Sequence, residues 1–333
     1  MRAETEQKLN RVWYENEPPP PWLRLLTPLY RLGNRFDRWR NTKRRPTDLE
    51  NVPIVIVGNL TVGGAGKTPL VIRLCKLFRS AGYKPGVISR GYGREEKKPR
   101  LVSIASDPGQ VGDEPLLIAR QAGVPVIVAS NRCEAARKLL KQGVDIIISD
   151  DGLQHYRLPR TMEICVVDGS RGFGNGKMLP EGPLREPLER LGDFDFVVVN
   201  GDSKAVPEEF EPVPMALAAG LLRSLDNGQS WRLAQFAGCK VNAVAGIGNP
   251  KRFFDLLRQA RLTVKEHPFP DHHHFTATDF EGMDQNLPIL MTEKDAVKVK
   301  EFGLKNAWCL AVEAVLPPQW EAEVVSRLMK EKK

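Results

Sequence analysis

The run Pro53-Ile54-Val55-Ile56-Val57-Gly58 is short, apolar and closed by glycine. A few residues on, Gly63-Gly64-Ala65-Gly66-Lys67-Thr68 leads into a segment with Leu70, Ile72, Leu74 and Leu77 on one side. The apolar run reads as a buried parallel strand and the periodic segment as an amphipathic helix, predicted from Thr68 to about Ser80. Strand, glycine-rich loop and helix in that order constrain the chain strongly. The glycines let backbone N–H groups turn inward, and the helix N-terminus favours an anion at the same point. Lys67 is placed to reach β and γ phosphates, and Thr68 to hold Mg²⁺. The pattern G-x-x-x-x-G-K-[ST] has Thr61 where its first glycine is expected, so Gly63 and Gly64 carry the turn. A glycine-rich turn with a chance Lys-Thr pair is the bland alternative, but the flanking strand and helix both speak against it. Thr61, Gly63, Gly64, Ala65, Gly66, Lys67 and Thr68 are therefore the candidate nucleotide-binding residues.

The same reading continues along the chain. Strands are predicted at Pro85–Ser89, Val124–Ala129, Val144–Ser149, Glu163–Val167 and Phe194–Val199, with helices at Asp113–Ala122 and Asn131–Gln142. Strands that alternate with helices predict a mostly parallel sheet covered on both faces, the α/β architecture of P-loop NTPases. The pattern weakens from about Val206 to Trp231. It resumes at Val241-Asn242-Ala243-Val244-Ala245-Gly246, followed by a helix with Phe253, Phe254 and Leu257 and by strands at Leu262–Glu266, Pro288–Met291 and Trp308–Val312. The expected organisation is a basic N-terminal helix region over 1–45, a P-loop domain over 46–205, a linker over 206–240 and a smaller α/β domain with a C-terminal helix over 241–333.

Two acidic residues stand where such chemistry needs them. Ile146-Ile147-Ile148-Ser149 ends in Asp150 and Asp151, and a carboxylate at a strand end is a usual second anchor for nucleotide-bound Mg²⁺. The pattern leaves open which of the two faces the ion, and a strand-end turn is the bland reading of both.

The formal net charge is +8, and nearly all of it falls between Trp22 and Arg45, where eight basic residues face only Asp37. Trp22, Leu25, Leu29, Leu32, Phe36 and Trp39 recur there at spacings of 3 and 4, with Arg24, Arg31, Arg35 and Arg38 on another face. Pro28 is expected to bend this helix near its first turn or to delay its start. Such a helix either docks on the protein's own core or lies in a membrane interface, apolar face in the acyl boundary and arginines at the headgroups. The first twenty residues are densely charged, which excludes a secretory signal there, and no apolar run reaches bilayer-spanning length. Five widely spaced cysteines without a C-x-x-C pair point to a reducing compartment.

Several runs together resemble one family. They are Gly58 to Pro69, Ser89-Arg90-Gly91-Tyr92-Gly93, Val111-Gly112-Asp113-Glu114-Pro115, and Asp150-Asp151-Gly152-Leu153-Gln154-His155. Gly182-Pro183-Leu184-Arg185-Glu186, Ala245 to Pro250, Phe269-Pro270-Asp271-His272-His273 and Thr292-Glu293-Lys294-Asp295-Ala296 follow in the same order. Spread from about residue 20 to 315, they resemble tetraacyldisaccharide 4'-kinase, the lipid A 4'-kinase. The resemblance implies a Gram-negative bacterial enzyme, peripheral on the cytoplasmic face of the inner membrane. It implies transfer of the γ-phosphoryl of ATP, with Mg²⁺, to the 4'-hydroxyl of an acylated glucosamine disaccharide 1-phosphate, giving lipid IVA. It also implies that Asp113 is the base and His272 its partner, with Lys67 and Arg185 meeting charge on the γ-phosphoryl oxygens. Glu114 joins Thr68, Asp150 and Asp151 as a candidate Mg²⁺ ligand.

Bland roles remain for some of these residues at this point: Asp113 as the cap of a helix, Arg185 in a surface ion pair. Consecutive His272, His273 and His274 cannot all face one metal from a regular strand. The glycine-rich loop also suits a GTP- or ATP-hydrolysing switch or a metallochaperone, but Asn200-Gly201 lacks the downstream Asp of a guanine-reading motif. Nucleic acid is not expected as a partner, because no aromatic stacking platform or zinc pattern accompanies the basic helix.

Overall fold

The structure is a computed structural model that describes residues 2–15, 17–91, 94, 98–271 and 273–330. Its strands in chain order are β1 (Ile54–Gly58), β2 (Pro85–Ser89), β3 (Arg100–Leu101), β4 (Val126–Val128), β5 (Ile146–Asp150), β6 (Met162–Asp168) and β7 (Phe196–Asn200), then β8 (Val213–Ser224), β9 (Ser230–Arg232), β10 (Lys240–Ala245), β11 (Thr263–Pro268), β12 (Ile289–Thr292) and β13 (Ala307–Val315). The α-helices are α1 (Arg2–Tyr14), α2 (Pro21–Thr42), α3 (Lys67–Ser80), α4 (Pro108–Val111), α5 (Asp113–Ala122), α6 (Arg132–Leu140), α7 (Pro250–Gln259), α8 (Thr278–Glu281), α9 (Glu293–Val299) and α10 (Pro318–Lys330).

The first half of the chain forms the order β7-β6-β1-β5-β2-β4-β3, parallel except for β3. All five residues of β1 are buried, so the apolar run predicted as a central strand is one. Its side chains alternate between two cores. Val55 and Val57 meet Leu70, Phe78 and Leu116 of α3 and α5 on one face. Ile54 and Ile56 meet Leu139 of α6 and Leu153 on the other. Helices on both faces are what a buried parallel sheet requires.

The second half repeats the architecture on a smaller scale, with β11-β10-β12-β13 all parallel. Phe253, Phe254 and Leu257 of α7 cover one face, and Ala296 and Val299 of α9 the other. Two sequence expectations about the boundary between the halves do not hold. The segment expected as a linker contains the twelve-residue β8. β8 begins parallel to β7, with Val198 opposite Val213, and continues antiparallel to β13, from Val315 opposite Ala216 to Trp308 opposite Ser224. One strand thus joins the two sheets, and its periodicity is blurred because each end answers to a different neighbour. The C-terminal helix, expected with the smaller unit, packs on the larger one. Trp320, Val324 and Leu328 of α10 belong to the core of β1 and α3, and Arg73 of α3 donates to both carboxylate oxygens of Glu321 at 2.6 and 2.7 Å.

The helix α2 is continuous from Pro21, so Pro28 neither delays it nor ends it. Pro21 stands at the first helical position, where a missing N–H costs no hydrogen bond, while Pro28 lies inside the helix and forfeits one bond without ending it. Only a narrow strip docks. Leu23 and Thr27 are buried, Tyr30 and Asn34 partly so, and the Thr27 hydroxyl accepts from the N–H of Glu181 at 3.3 Å. The predicted apolar stripe faces the other way: Trp22, Leu25, Leu29, Leu32, Phe36 and Trp39 are between 55% and 76% exposed. Fully burying one such side chain is worth about 1.5–3 kcal/mol, so leaving six in water forgoes roughly 10 kcal/mol. Lys43 lies 4.4 Å over the Trp39 ring and Arg40 5.9 Å over that of Phe36, so the basic groups border the stripe. Among the described residues no helix is long and apolar enough to cross a membrane.

The two faces of α2 are expected to respond oppositely to truncation. Leu23→Ala removes a core contact and should cost about 2–5 kcal/mol. Leu29→Ala should stay within about 0.5 kcal/mol of the parent. Thermal and denaturant unfolding of the two variants side by side checks this, and equal losses would mean that the stripe is docked after all.

Candidate active site

The parallel register of β1 and β5 sets Val57 beside Asp150. The chain leaving β1 therefore turns over the carboxyl end of β5. Asn59 organises that turn, its side-chain amide donating to the carbonyls of Thr61 (2.7 Å) and Gly63 (3.2 Å). Thr61, at the position where a glycine was expected, is nearly buried and bridges to Leu184. Gly63 and Gly66 have φ of +105° and +90°, a backbone region that side chains avoid, so Gly63 carries the turn as expected but Gly66, not Gly64, is its second left-handed position. At Gly66 a Cβ would also overlap the Asn200 side-chain amide, which donates to the Ala65 carbonyl at 3.1 Å.

Lys67 begins α3. Its Nζ donates to Asn59 Oδ1 at 2.9 Å and lies 3.4 Å from Asp151 Oδ1. Asp151 also receives Arg185, with Nη1 at 3.1 and 3.3 Å from its two oxygens. Burial works against charge on Asp151, but Lys67, Arg185 and Arg132 outweigh it and hold its carboxyl well below the usual range. Its backbone takes φ +49°, an uncommon strain for a non-glycine residue. Arg185 reaches the site from a loop fixed on two sides. Its own N–H donates to the Leu60 carbonyl, and its carbonyl accepts from Tyr30 and Asn34 of α2, both at 3.1 Å. Arg185 is thus no surface ion pair.

Asp150 differs from its neighbour. Burial, then the charge of Glu114, pushes its carboxyl up to about 7, against the pull of Lys67 and Arg132. Oδ2 accepts from the Ser89 hydroxyl at 3.2 Å, while Oδ1 is buried without a hydrogen-bond partner among the described residues. An orphaned buried carboxylate oxygen beside a phosphate loop fits a cation ligand. No cluster of three His, Cys, Asp or Glu that would hold a metal alone occurs among the described residues. Mg²⁺ commonly uses one or two carboxylates and completes its shell with phosphate and water, so this donor set suits it. His155 is not an acid–base group here, since burial and then Arg132 lower its pKa to about 3 and leave the ring neutral.

Asp113 and Glu114 open α5, but Gly112 is the N-cap and neither carboxylate caps the helix. Both reach the other half of the molecule. Lys298 Nζ is 3.4 Å from Asp113 Oδ2, and Lys294 Nζ is 3.1 Å from Glu114 Oε1 and 2.9 Å from Asp271 Oδ1. His272 lies outside the described residues. Its neighbour His273 packs between Phe269 and Phe275 and meets Asp279 at 3.1 Å.

A cleft of about 750 Å³ separates the halves, with Lys67 and Thr68 on one wall and Gly248, Asp271 and Lys294 on the other. Leu217, Leu256 and Val312 are among its apolar lining residues. A second depression of about 820 Å³ beside β8 and the end of α7 lacks any part of the glycine-rich loop. The sequence reading missed Asn59, Arg132, Asn200, Lys294 and Lys298. Asn59 and Lys294 do stand inside runs that carry the family resemblance, though with no role attached. Arg132 carries no local pattern, and Asn200 stands only in an incomplete guanine-reading motif.

A phosphate loop closing on a strand-end carboxylate pair, with an acidic helix start beside it at the mouth of a cleft, defines a P-loop α/β enzyme acting on nucleotide phosphates. Comparison with known proteins narrows that class. The sequence model of the family described as Tetraacyldisaccharide-1-P 4'-kinase matches residues 20–329. The Tetraacyldisaccharide 4'-kinase of Stenotrophomonas maltophilia (strain R551-3) is 47% identical over 332 residues, with 96% of each chain covered. That of Shewanella loihica (strain ATCC BAA-1088 / PV-4) is 44% identical over 329 residues, again with 96% of each covered. The crystal structure of LpxK from Aquifex aeolicus in complex with ATP superposes with a TM-score of 0.73 at 25% identity, over 92% of this chain and 98% of its own. The chain belongs to the tetraacyldisaccharide 4'-kinase family.

Gly66→Ala is expected to weaken nucleoside triphosphate binding at least tenfold. The substitution combines a strained φ, worth about 1–3 kcal/mol, with displacement of Asn200. Calorimetric titration with the nucleotide measures it, and unchanged affinity would mean that the loop does not hold the phosphates in this conformation.

Proposed function

We propose that this protein transfers the γ-phosphoryl of ATP to the 4'-hydroxyl of a tetraacylated glucosamine disaccharide 1-phosphate, a step of lipid A biosynthesis. The observation that supports the mechanism is that Glu114 lines the cleft on the same side as Lys67 and Thr68, while Asp113 and Glu114 meet Lys298 and Lys294 of the opposite half. Phosphoryl transfer passes through a loose transition state that needs positioning and charge neutralisation more than covalent help. Lys67 leaves Asp151 for the β and γ phosphates as nucleotide enters, and Arg185, freed on the same carboxylate, meets the γ-phosphoryl oxygens. Asp113 orients the acceptor hydroxyl and takes its proton late, with His272 as its partner. Mg²⁺, when bound, neutralises phosphate charge. Thr68, Asp150 and Glu114 are the residues that would hold it, because Asp151 is already committed to Lys67 and Arg185. The switch or metallochaperone reading finds no support in the family match.

The exposed stripe of α2 with its basic border suits the surface of an anionic bilayer. Each Lys or Arg near such a surface adds about 1 kcal/mol of attraction. We place the protein peripherally on the cytoplasmic face of the bacterial inner membrane, where ATP and an acylated acceptor meet.

The direct test is incubation of the purified protein with γ-labelled ATP and the tetraacyl disaccharide 1-phosphate, and absence of labelled lipid would reject the proposal. Lys67→Ala should lower kcat by on the order of 10²–10³ with the fold intact. A triple variant, Leu25→Ser, Leu29→Ser and Leu32→Ser, should stay folded yet cosediment much less with phosphatidylglycerol vesicles. Undiminished cosedimentation would remove α2 from the membrane reading.

A further inference from the structure

Lys298 has no part in the mechanism above, yet its side chain is among the most constrained charges near the cleft. It stands on α9 in the second half, and only 9% of the side chain is exposed. Its Nζ is 3.3 Å from Asp295 Oδ1 and 3.4 Å from Asp113 Oδ2, and 5.4 Å from the centre of the Phe275 ring. Asp295 is itself wholly buried and held from behind. Its Oδ2 accepts from the N–H of Gly246 at 2.9 Å and from the Thr292 hydroxyl at 2.6 Å, which leaves Oδ1 for the lysine. Lysine is a flexible stem with a compact charge, and it holds a partner in one orientation only when its own head is fixed. Here a buried carboxylate and an aromatic face fix it. The chain of contacts runs from the backbone at the end of β10, through Asp295 and Lys298, to a carboxylate that belongs to the other half.

We propose that Lys298 is a positioning residue for the phosphoryl-transfer reaction: it holds the Asp113 carboxylate in the orientation that receives the acceptor hydroxyl, and it does so only when the second half is seated on the first. The proposal rests on the acceptor role given to Asp113 above. A purely structural clip between the halves would also use such an ion pair, so the test has to separate orientation from cohesion.

The experiment is steady-state kinetics of the full-length protein with ATP and the tetraacyl disaccharide 1-phosphate. The variants are Lys298→Met, Lys298→Arg, Asp113→Ala and the double Asp113→Ala/Lys298→Met, each with its melting temperature. Lys298→Met should lower kcat by roughly tenfold to a hundredfold, the range expected for a misplaced reacting group, while KM for ATP changes less than about threefold. Lys298→Arg should recover most of the loss. The double variant should be no slower than Asp113→Ala alone, because the lysine acts through that carboxylate. Should Lys298→Met fail to fold, Lys298→Gln is read in the same way.

Wild-type kcat in the uncharged variant, with Asp113→Ala strongly impaired, overturns the proposal and leaves the acceptor role of Asp113 standing. Multiplicative losses in the double variant overturn it as well. So does a raised KM for ATP together with a lowered melting temperature that Arg does not restore, since that is the signature of a clip. Full activity in Asp113→Ala removes the acceptor role itself, and the proposal with it.

Discussion

The cleft depends on the pairing of β1 with β5. A central parallel strand has no freedom of register once both its faces are buried, since a one-residue slip would turn every side chain to the wrong core. With Val57 fixed opposite Asp150, the glycine-rich turn must close over a carboxylate pair, Asp150 buried and Asp151 partly exposed. The two members of that pair then divide. Asp151 looks toward Lys67 and Arg185 and stays ionised, while Asp150 sits deeper, beside Glu114 and without a full set of partners. Neighbours in sequence become chemically different because they enter different environments.

The same carboxylate pair connects the site to the outermost helix. Tyr30 and Asn34 of α2 donate to the carbonyl of Arg185, whose guanidinium holds Asp151, which in turn meets Lys67. The docked strip of α2 is therefore part of the wall behind the phosphate loop. Its opposite face is left to solvent at a cost of several kilocalories per mole, and it is the surface that the membrane reading proposed above assigns to lipid.

The second half is bound into the first at several levels. β8 belongs to both sheets, and α10 crosses back to pack Trp320 edge-on against Phe196 at 5.5 Å. At the cleft itself the ties are ionic: Lys294 and Lys298 toward α5, and Arg252 toward Asp168 at 2.8 Å. These pairs are sheltered, with Lys294 and Lys298 keeping only 14% and 9% of their side chains exposed, so breaking one leaves an uncompensated charge out of water. The shared strand fixes the frame, and the sheltered ion pairs fix how the two walls of the cleft face each other.

The sequence alone determined the strand–loop–helix at residues 54–80, most of the other strands and helices, and the identity of the loop residues. Those features are legible because glycine conformation, apolar periodicity and a helix N-terminus are local physics, and in-order motifs extended the reading to a family. The twelve-residue β8 was not legible: Pro214, Gly220 and a run of alanines have little strand character, and pairing with β7 and β13 supplies it. Tertiary structure alone decided that the Trp22–Trp39 stripe faces outward, that α10 packs on the first half, and that Asp150 and Asp151 play different parts. It alone brought Lys294 and Lys298 to residues some 180 positions away. Each of these is a matter of burial and charge set by residues remote in the chain, and no window of sequence contains both partners.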